Sequence, residues 1–179
     1  GYTIQIYCDF SGYSDMAIGI ALLMGYEIPM NFNAPLTADS MTDFWRRWHI
    51  SLSTWIRDYV YISLGGNRRG KVFMYINQMI AMTACGLWHG ASLNFVLWGV
   101  IHGALVCIHK FWSQTIMRHD RHYHPSGIRR FFSVLITFHV ITFTWILFRC
   151  RDFDSAWIMI KQMVTKFNLS VLPDVFIAY

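Results

Sequence analysis

The chain has 179 residues, of which 55% are hydrophobic, 17% aromatic and only 14% charged; that is too apolar and charge-poor for an ordinary soluble domain, and a membrane protein is the better class. The formal charge of +5 does not argue for nucleic acid, because the basic residues gather between apolar segments, where the positive-inside rule expects cytoplasmic connections. Cys8, Cys85, Cys107 and Cys150 lie scattered in apolar stretches without Cys-x-x-Cys spacing, so neither a disulfide framework nor a zinc knuckle is expected, and they read as small core residues.

Residues 2–24 form one apolar segment, long enough at about 1.5 Å per residue to cross a hydrocarbon core of about 30 Å. A polar cluster interrupts it. Asp9, Ser11, Tyr13, Ser14 and Asp15 need partners or a water-lined cavity at that depth. Two roles compete, a polar wall of a substrate path or a packing motif in which the carboxylates hold helix termini or arginines, and packing is the favoured reading. Pro29, Asn31, Asn33 and Pro35 then oppose regular helix over 25–37. With Ser40 as cap and Asp43 three positions on, an amphipathic helix is predicted over 40–61, its apolar stripe carrying Trp45, Trp48, Leu52, Trp55, Ile56 and Tyr59. It is expected to lie at the membrane surface or dip into it, with His49 on the apolar side.

Leu64 to Lys71 is a glycine-rich basic turn. With no Gly-x-x-x-x-Gly-Lys-Ser/Thr pattern and no preceding parallel strand, it reads as a solvated cytoplasmic loop and not as a phosphate cradle. Two apolar runs, 72–86 and 93–109, flank Trp88-His89-Gly90; each is short for a full crossing. They form either one tilted helix through His89 or a hairpin with His89 at its apex, and both put His89 at membrane depth. An ionisable side chain there is a functional candidate by default, against the alternative of a buried histidine that is hydrogen-bonded and inert. His102 and His109 are seven apart and Cys85 precedes His89 by four, yet no third ligand, carboxylate or His-Glu-x-x-His accompanies them, so no metal site is expected. The polar stretch 118–125 reads as a solvated face. Residues 131–148 are the clearest transmembrane candidate, bounded by Arg149 and Arg151, and 156–167 reads as a short amphipathic helix. No internal repeat is evident, which weighs against transporter folds built by duplication.

In order and spacing, Asp9-Phe10-Ser11-Gly12-Tyr13-Ser14-Asp15, Asn31-Phe32-Asn33, Phe44-Trp45-Arg46-Arg47-Trp48-His49, Arg57-Asp58-Tyr59-Val60-Tyr61 and Gly86-Leu87-Trp88-His89-Gly90 resemble the membrane-bound O-acyltransferase (MBOAT) family. Leu64-Gly65-Gly66-Asn67-Arg68 and residues 88–99 are similar to its bacterial alginate O-acetylation branch. The likeness spans roughly residues 2–165. It implies an all-α, multi-pass transmembrane fold with interfacial amphipathic helices. Residues 1–179 would then be a single membrane domain, the C-terminal part of a longer core, in the bacterial inner membrane. The start at Gly1, without an initiator Met or signal-peptide pattern, agrees with a fragment of a longer protein.

The resemblance also implies an enzyme moving an acetyl or other acyl group from a cytoplasmic thioester donor, acetyl-CoA or an acyl carrier, toward a polysaccharide hydroxyl outside, through an extracytoplasmic relay or polysaccharide-modifying protein. The family's catalytic histidine maps onto His89, and the second commonly implicated one onto His49. No bound cofactor and no nucleic-acid partner are expected; the lipid bilayer is. A teichoic-acid D-alanyl or peptidoglycan acyl transferase is the alternative within the family. A proton or ion path through His49, His89, Asp9 and Asp15, or a scaffold for polysaccharide export, is the alternative outside it.

Overall fold

The computed structural model describes residues 1–118 and 124–166 and is helical throughout: among the described residues there are seven α-helices and no strand. Helix α1 spans Tyr2–Leu23, α2 Met41–Arg47, α3 Ile50–Trp55, α4 Lys71–Trp88, α5 Leu93–Phe111, α6 Gly127–Arg149 and α7 Phe153–Thr165. π-helical turns extend α3 through Tyr61 and α5 through Ile116. Residues 93–116 and 127–149 are each long and apolar enough to cross a membrane. Their outward faces carry large apolar side chains such as Ile108, Ile128, Phe131 and Ile136, as expected where the solvent is lipid.

The two runs around His89 form an antiparallel hairpin. Near its open end the Lys110 ammonium donates to Gln78 Oε1 at 2.7 Å and the Cys107 thiol to the Tyr75 carbonyl; near its closed end Gly86 of α4 packs on Phe95 and Gly99 of α5. The helices approach so closely because Gly99 and Gly103, four apart on one face of α5, have no side chains to hold α4 off. A Cβ built on Gly99 would press on the Met82 carbonyl oxygen and come within 3.1 Å of the Gly86 Cα. At the open end, Asn77 of α4 donates to the carbonyls of Leu64 and Gly66 and ties down the glycine-rich turn, in which Gly65 and Gly66 take positive φ.

The stretch 40–61 is broken where one continuous helix is predicted. The Ser40 hydroxyl caps α2 by accepting from the Asp43 amide at 3.2 Å, and Asp43 in turn holds Arg47 at 2.8 Å. After Arg47 the chain extends at Trp48, turns left-handed at His49 with φ 45°, and restarts as α3. Segment 31–33 causes the break. Asn33 N–H donates to the Arg47 carbonyl and Ile50 N–H to the Asn31 carbonyl, bonds that a continuous helix would have kept for itself. The break and the π turn re-phase the apolar stripe. Trp48, Leu52 and Ile56 are buried, whereas Trp55 and Tyr59 stack on each other facing outward.

Trp48 leads into an aromatic core, with its ring 5.3 Å from Trp145, which lies 5.8 Å from Trp98 and 5.2 Å from Phe148. Helix α6 runs through this core and is tied to α1 by a Thr3–Thr142 hydroxyl bond of 3.1 Å and by Arg149 over the Tyr2 ring. Helix α7 begins three residues before the predicted 156, because Asp152 caps it by accepting from Ser155 N–H at 2.8 Å. Of the four cysteines, all free, Cys85 is buried but Cys8 is exposed, since α1 turns that side away from the other helices. In the polar stretch 118–125, residues 119–123 lie outside the described residues, and His124 pairs with Asp39 at 2.7 Å.

Candidate active site

His49 and His89 arrive by separate routes at one cavity of about 480 Å³. His89 ends α4, where its N–H and that of Gly90 bond back to the Gly86 and Leu87 carbonyls in a tightened last turn. Gly90 follows with φ 150°, and a Cβ there would lie 3.0 Å from the Phe95 ring, so the turn that carries His89 has no room for a side chain. The His89 imidazole stands among aromatic rings, 4.9 Å from Trp88, 4.9 Å from Phe148 and 5.5 Å from Trp98, centroid to centroid.

His49 occupies the break between α2 and α3 in a backbone conformation that costs free energy for a residue with a side chain. Asn31 holds it there. Its Oδ1 accepts from the Ser51 amide at 3.1 Å and the Ser51 hydroxyl at 2.7 Å, capping α3 from outside, and also meets His49 Nδ1 at 3.4 Å. Because a carboxamide oxygen only accepts, Nδ1 is the protonated nitrogen and Nε2 keeps its lone pair. The ring packs edge-on against Phe10 at 4.7 Å and Trp88 at 5.8 Å, so Trp88 stands between the two histidines and touches both. His49 lies outside the two helices that are long and apolar enough to cross a membrane. Burial first, and the neighbouring His89 second, hold its pKa down to about 4, so the ring is neutral at physiological pH.

Helix α1 closes the cavity with Gln5, Asp9 and Tyr13. Neither Asp9 nor Asp15 makes an ion pair or hydrogen bond among the described residues, and Asp9 lines the histidine cavity. Two further cavities, of about 210 and 270 Å³, share Thr42, Arg46, Tyr61 and Lys110. The first is polar and opens beside Asn67; the second runs inward past Gln78, Ala81 and Met82 to Cys85, one helical turn short of His89. Sequence reasoning missed the Arg46–Lys110 mouth. Its two cations sit on helices 64 residues apart in the chain, and no local pattern joins them.

His102 and His109 do not form a metal site with each other. The Trp45 indole donates to His102 Nδ1 at 3.2 Å, so Nε2–H donates to Thr144 Oγ1 at 2.8 Å, and that hydroxyl passes its own proton bond to the Ile141 carbonyl. Both nitrogens are used, and this buried histidine pins α2, α5 and α6 together. His109 Nδ1 meets the Thr42 hydroxyl instead. Asp39, Asp43 and His124 do bring three ligand-type atoms within 4.8 Å, but the Asp43 carboxylate already pairs with Arg47 and the Asp39 carboxylate meets His124 Nδ1 at 2.7 Å, so both already have protein partners.

The family model described as MBOAT, membrane-bound O-acyltransferase family, matches residues 1–148. The chain is 45% identical over 162 residues to a protein named probable alginate O-acetylase AlgI from Pseudomonas aeruginosa, covering 90% of this chain and 30% of that protein. It is 42% identical to a peptidoglycan O-acetyltransferase from Helicobacter pylori, over 91% of this chain and 30% of the relative. It is also 30% identical to a teichoic acid D-alanyltransferase from Bacillus subtilis, over 86% and 40% of the two. The chain therefore spans about a third of the length of the curated relatives it matches.

Proposed function

This chain belongs to the membrane-bound O-acyltransferase family, and from that premise we propose that it carries the reaction centre of a multi-pass enzyme of the bacterial cytoplasmic membrane that moves an acyl group across the membrane toward a polysaccharide hydroxyl. The observation that carries the reading is the meeting of His49, from the break between α2 and α3, and His89, from the end of α4, on one cavity walled by aromatic rings. In this reading α1 and α4 cross the bilayer beside α5 and α6. The hairpin of α4 and α5 then puts the basic turn at 65–71 and the Arg46–Lys110 mouth at the cytoplasmic end, and the histidine cavity at the other.

A thioester donor, acetyl-CoA or an acyl carrier, suits the cytoplasmic mouth. Arg46 and Lys110 match its phosphates, and the apolar cavity that leads to Cys85 matches a pantetheine-like arm. His89 takes the proton of the acceptor hydroxyl as its oxygen attacks the thioester carbonyl. The tetrahedral oxyanion collapses, the C–S bond breaks, and the imidazolium returns its proton to the leaving thiolate. A neutral imidazole is required at the first step, and the water-poor aromatic surroundings favour it. His49, with Nε2 unprotonated, orients the acceptor or shares the proton.

Alginate-type O-acetylation is the preferred acceptor chemistry because the relatives named alginate O-acetylase match at 44–47% identity, against 42% for the peptidoglycan O-acetyltransferase and 30% for the teichoic acid enzymes. An extracytoplasmic protein completes delivery to the polymer. The test is transfer of labelled acetyl from acetyl-CoA to polymannuronate in membranes carrying the full-length parent, against membranes lacking it. Labelled polymer supports the reading. Label on teichoic acid or peptidoglycan moves the acceptor within the family, and proton flux that depends on His89 without any acyl transfer replaces the enzyme by an ion path.

A further inference from the structure

We propose that the cleft between the cytoplasmic ends of α5 and α6 binds an anionic phospholipid of the inner leaflet, with its phosphodiester at Arg129 and an acyl chain along Trp112, Phe132 and Ile136; this rests on the membrane placement in the reading above and not on its chemistry. The cleft has a volume of about 450 Å³. Trp112 and Ser113, in the π turn that extends α5, line one side of it, and Arg129, Phe132, Ser133 and Ile136 of α6 line the other. The α6 residues recur at spacings of three and one, so they share one helical face, and the two helices leave a space open between them. Trp112, Phe132 and Ile136 are all exposed.

Both helices are long and apolar enough to cross a membrane, and the cleft lies at the end where the chain turns from one to the other. From Arg129 to Ile136 it descends about 10 Å, roughly a third of a hydrocarbon core of about 30 Å, with the Trp112 indole at the depth that amphipathic rings favour. Charge selects the occupant. Arg118, Arg129 and Arg130 crowd the connection between the helices, and none of them has an ion pair among the described residues. Asp39, the carboxylate on the cleft wall, meets His124 Nδ1 at 2.7 Å. A guanidinium matches two phosphate oxygens at once, and the half-buried hydroxyls of Ser113 and Ser133, without hydrogen-bond partners among the described residues, are free to donate to phosphate or glycerol oxygens. A free phosphate leaves the apolar part of the cleft unused, and a zwitterionic lipid offsets the attraction with its own cation. Ser40, His109 and Ser113 also line the polar cavity at the Arg46–Lys110 mouth, so a lipid seated here braces the outer wall of that mouth.

The experiment uses the purified full-length parent in dodecylmaltoside, titrated with phosphatidylglycerol or phosphatidylcholine brominated on the acyl chain, while tryptophan emission is read; bromine quenches an indole that it touches. Phosphatidylglycerol is expected to quench at a concentration lower by about fivefold or more than phosphatidylcholine, the contribution of one arginine beside an anionic headgroup. Arg129→Gln is expected to remove that preference, and Trp112→Phe to remove the part of the quenching specific to phosphatidylglycerol. Arg68→Gln, which takes the same charge from the same end of the molecule outside the cleft, is expected to behave as wild type. Equal quenching by the two lipids overturns the proposal, as does a preference that survives Arg129→Gln or Trp112→Phe, or one that Arg68→Gln abolishes as fully as Arg129→Gln. Full competition by glycerol phosphate also overturns it, because the site would then hold a phosphate without a lipid. None of these readouts involves acyl transfer, so a protein that selects the lipid and transfers no acyl group is a failure of the acyl-transfer reading alone.

Discussion

Replacing Gly99 by alanine puts one methyl group where two backbones already touch. The new Cβ presses on the Met82 carbonyl oxygen and lies 3.1 Å from the Gly86 Cα, against a comfortable carbon–carbon separation of about 3.5–4.0 Å. Neither obstacle is a side chain that can rotate away, so the hairpin must open. Overpacking of this kind costs about 1–3 kcal/mol, and the immovable neighbours place Gly99→Ala at the upper end. Better helix propensity returns about 1 kcal/mol, leaving a net loss of about 2 kcal/mol. That is roughly a 30-fold fall in the folded-to-unfolded ratio. Two companions calibrate it. At Gly103 the neighbours are the flexible Met79 side chain at 3.0 Å and the Met82 Cβ at 3.1 Å, so Gly103→Ala should lose less, and Gly19, with nothing within 4 Å, should be neutral or slightly stabilised by alanine. The assay is unfolding of the purified full-length protein in detergent, followed by tryptophan fluorescence. If Gly99→Ala is as stable as Gly19→Ala, the close-packed hairpin is refuted.

Asn31→Ala removes the external cap of α3 and should destabilise by about 1–2 kcal/mol, while Asn31→Asp keeps the acceptor and most of the stability; acyl transfer should fall further than stability, because His49 loses its anchor. His102→Ala leaves the Trp45 indole and the Thr144 hydroxyl without their partner in a fully buried site, so protein level and Tm should drop together, by about 2–4 kcal/mol in stability. The pH profile carries a sign. Protonation silences an imidazole as acceptor, and burial lowers the His49 pKa from its ordinary 6.5 to about 4, so the share of transfer that depends on His49, read as wild type against His49→Ala, should persist below pH 6.5 and fade only as the pH approaches 4. A His49-dependent share that is lost already at or above pH 6.5 would contradict the buried neutral imidazole.

The helices were legible because apolar runs are long and their ends carry readable signals, Ser40 before α2 and the two arginines around Cys150 after α6. Hydropathy alone does not decide between the hairpin and a single helix, although Gly99-x-x-x-Gly103 is a sign of close helix contact in the sequence. The break at His49 was not legible. The helical pattern runs through it, and what interrupts it is Asn31, whose partner is set by tertiary pairing. His89 is legible as an ionisable group in an apolar stretch, the motif resemblance pairs it with His49, and the geometry adds that Trp88 touches both rings. A carboxylate in an apolar helix usually finds a cation, which is why packing is the favoured sequence reading of Asp9; among the described residues it has no ion pair and lines a cavity.

The most direct test of the account is acyl transfer by His89→Ala in membranes carrying the full-length protein at matched levels, beside wild type and His139→Ala, whose ring is exposed on α6 and bonded to its own helix at the Leu135 carbonyl. The account expects His89→Ala to lose about 10²- to 10⁴-fold in rate with its level and Tm intact, and His139→Ala to match wild type. Transfer by His89→Ala at the wild-type rate would contradict the assignment of His89 as the base and with it the reaction centre described above.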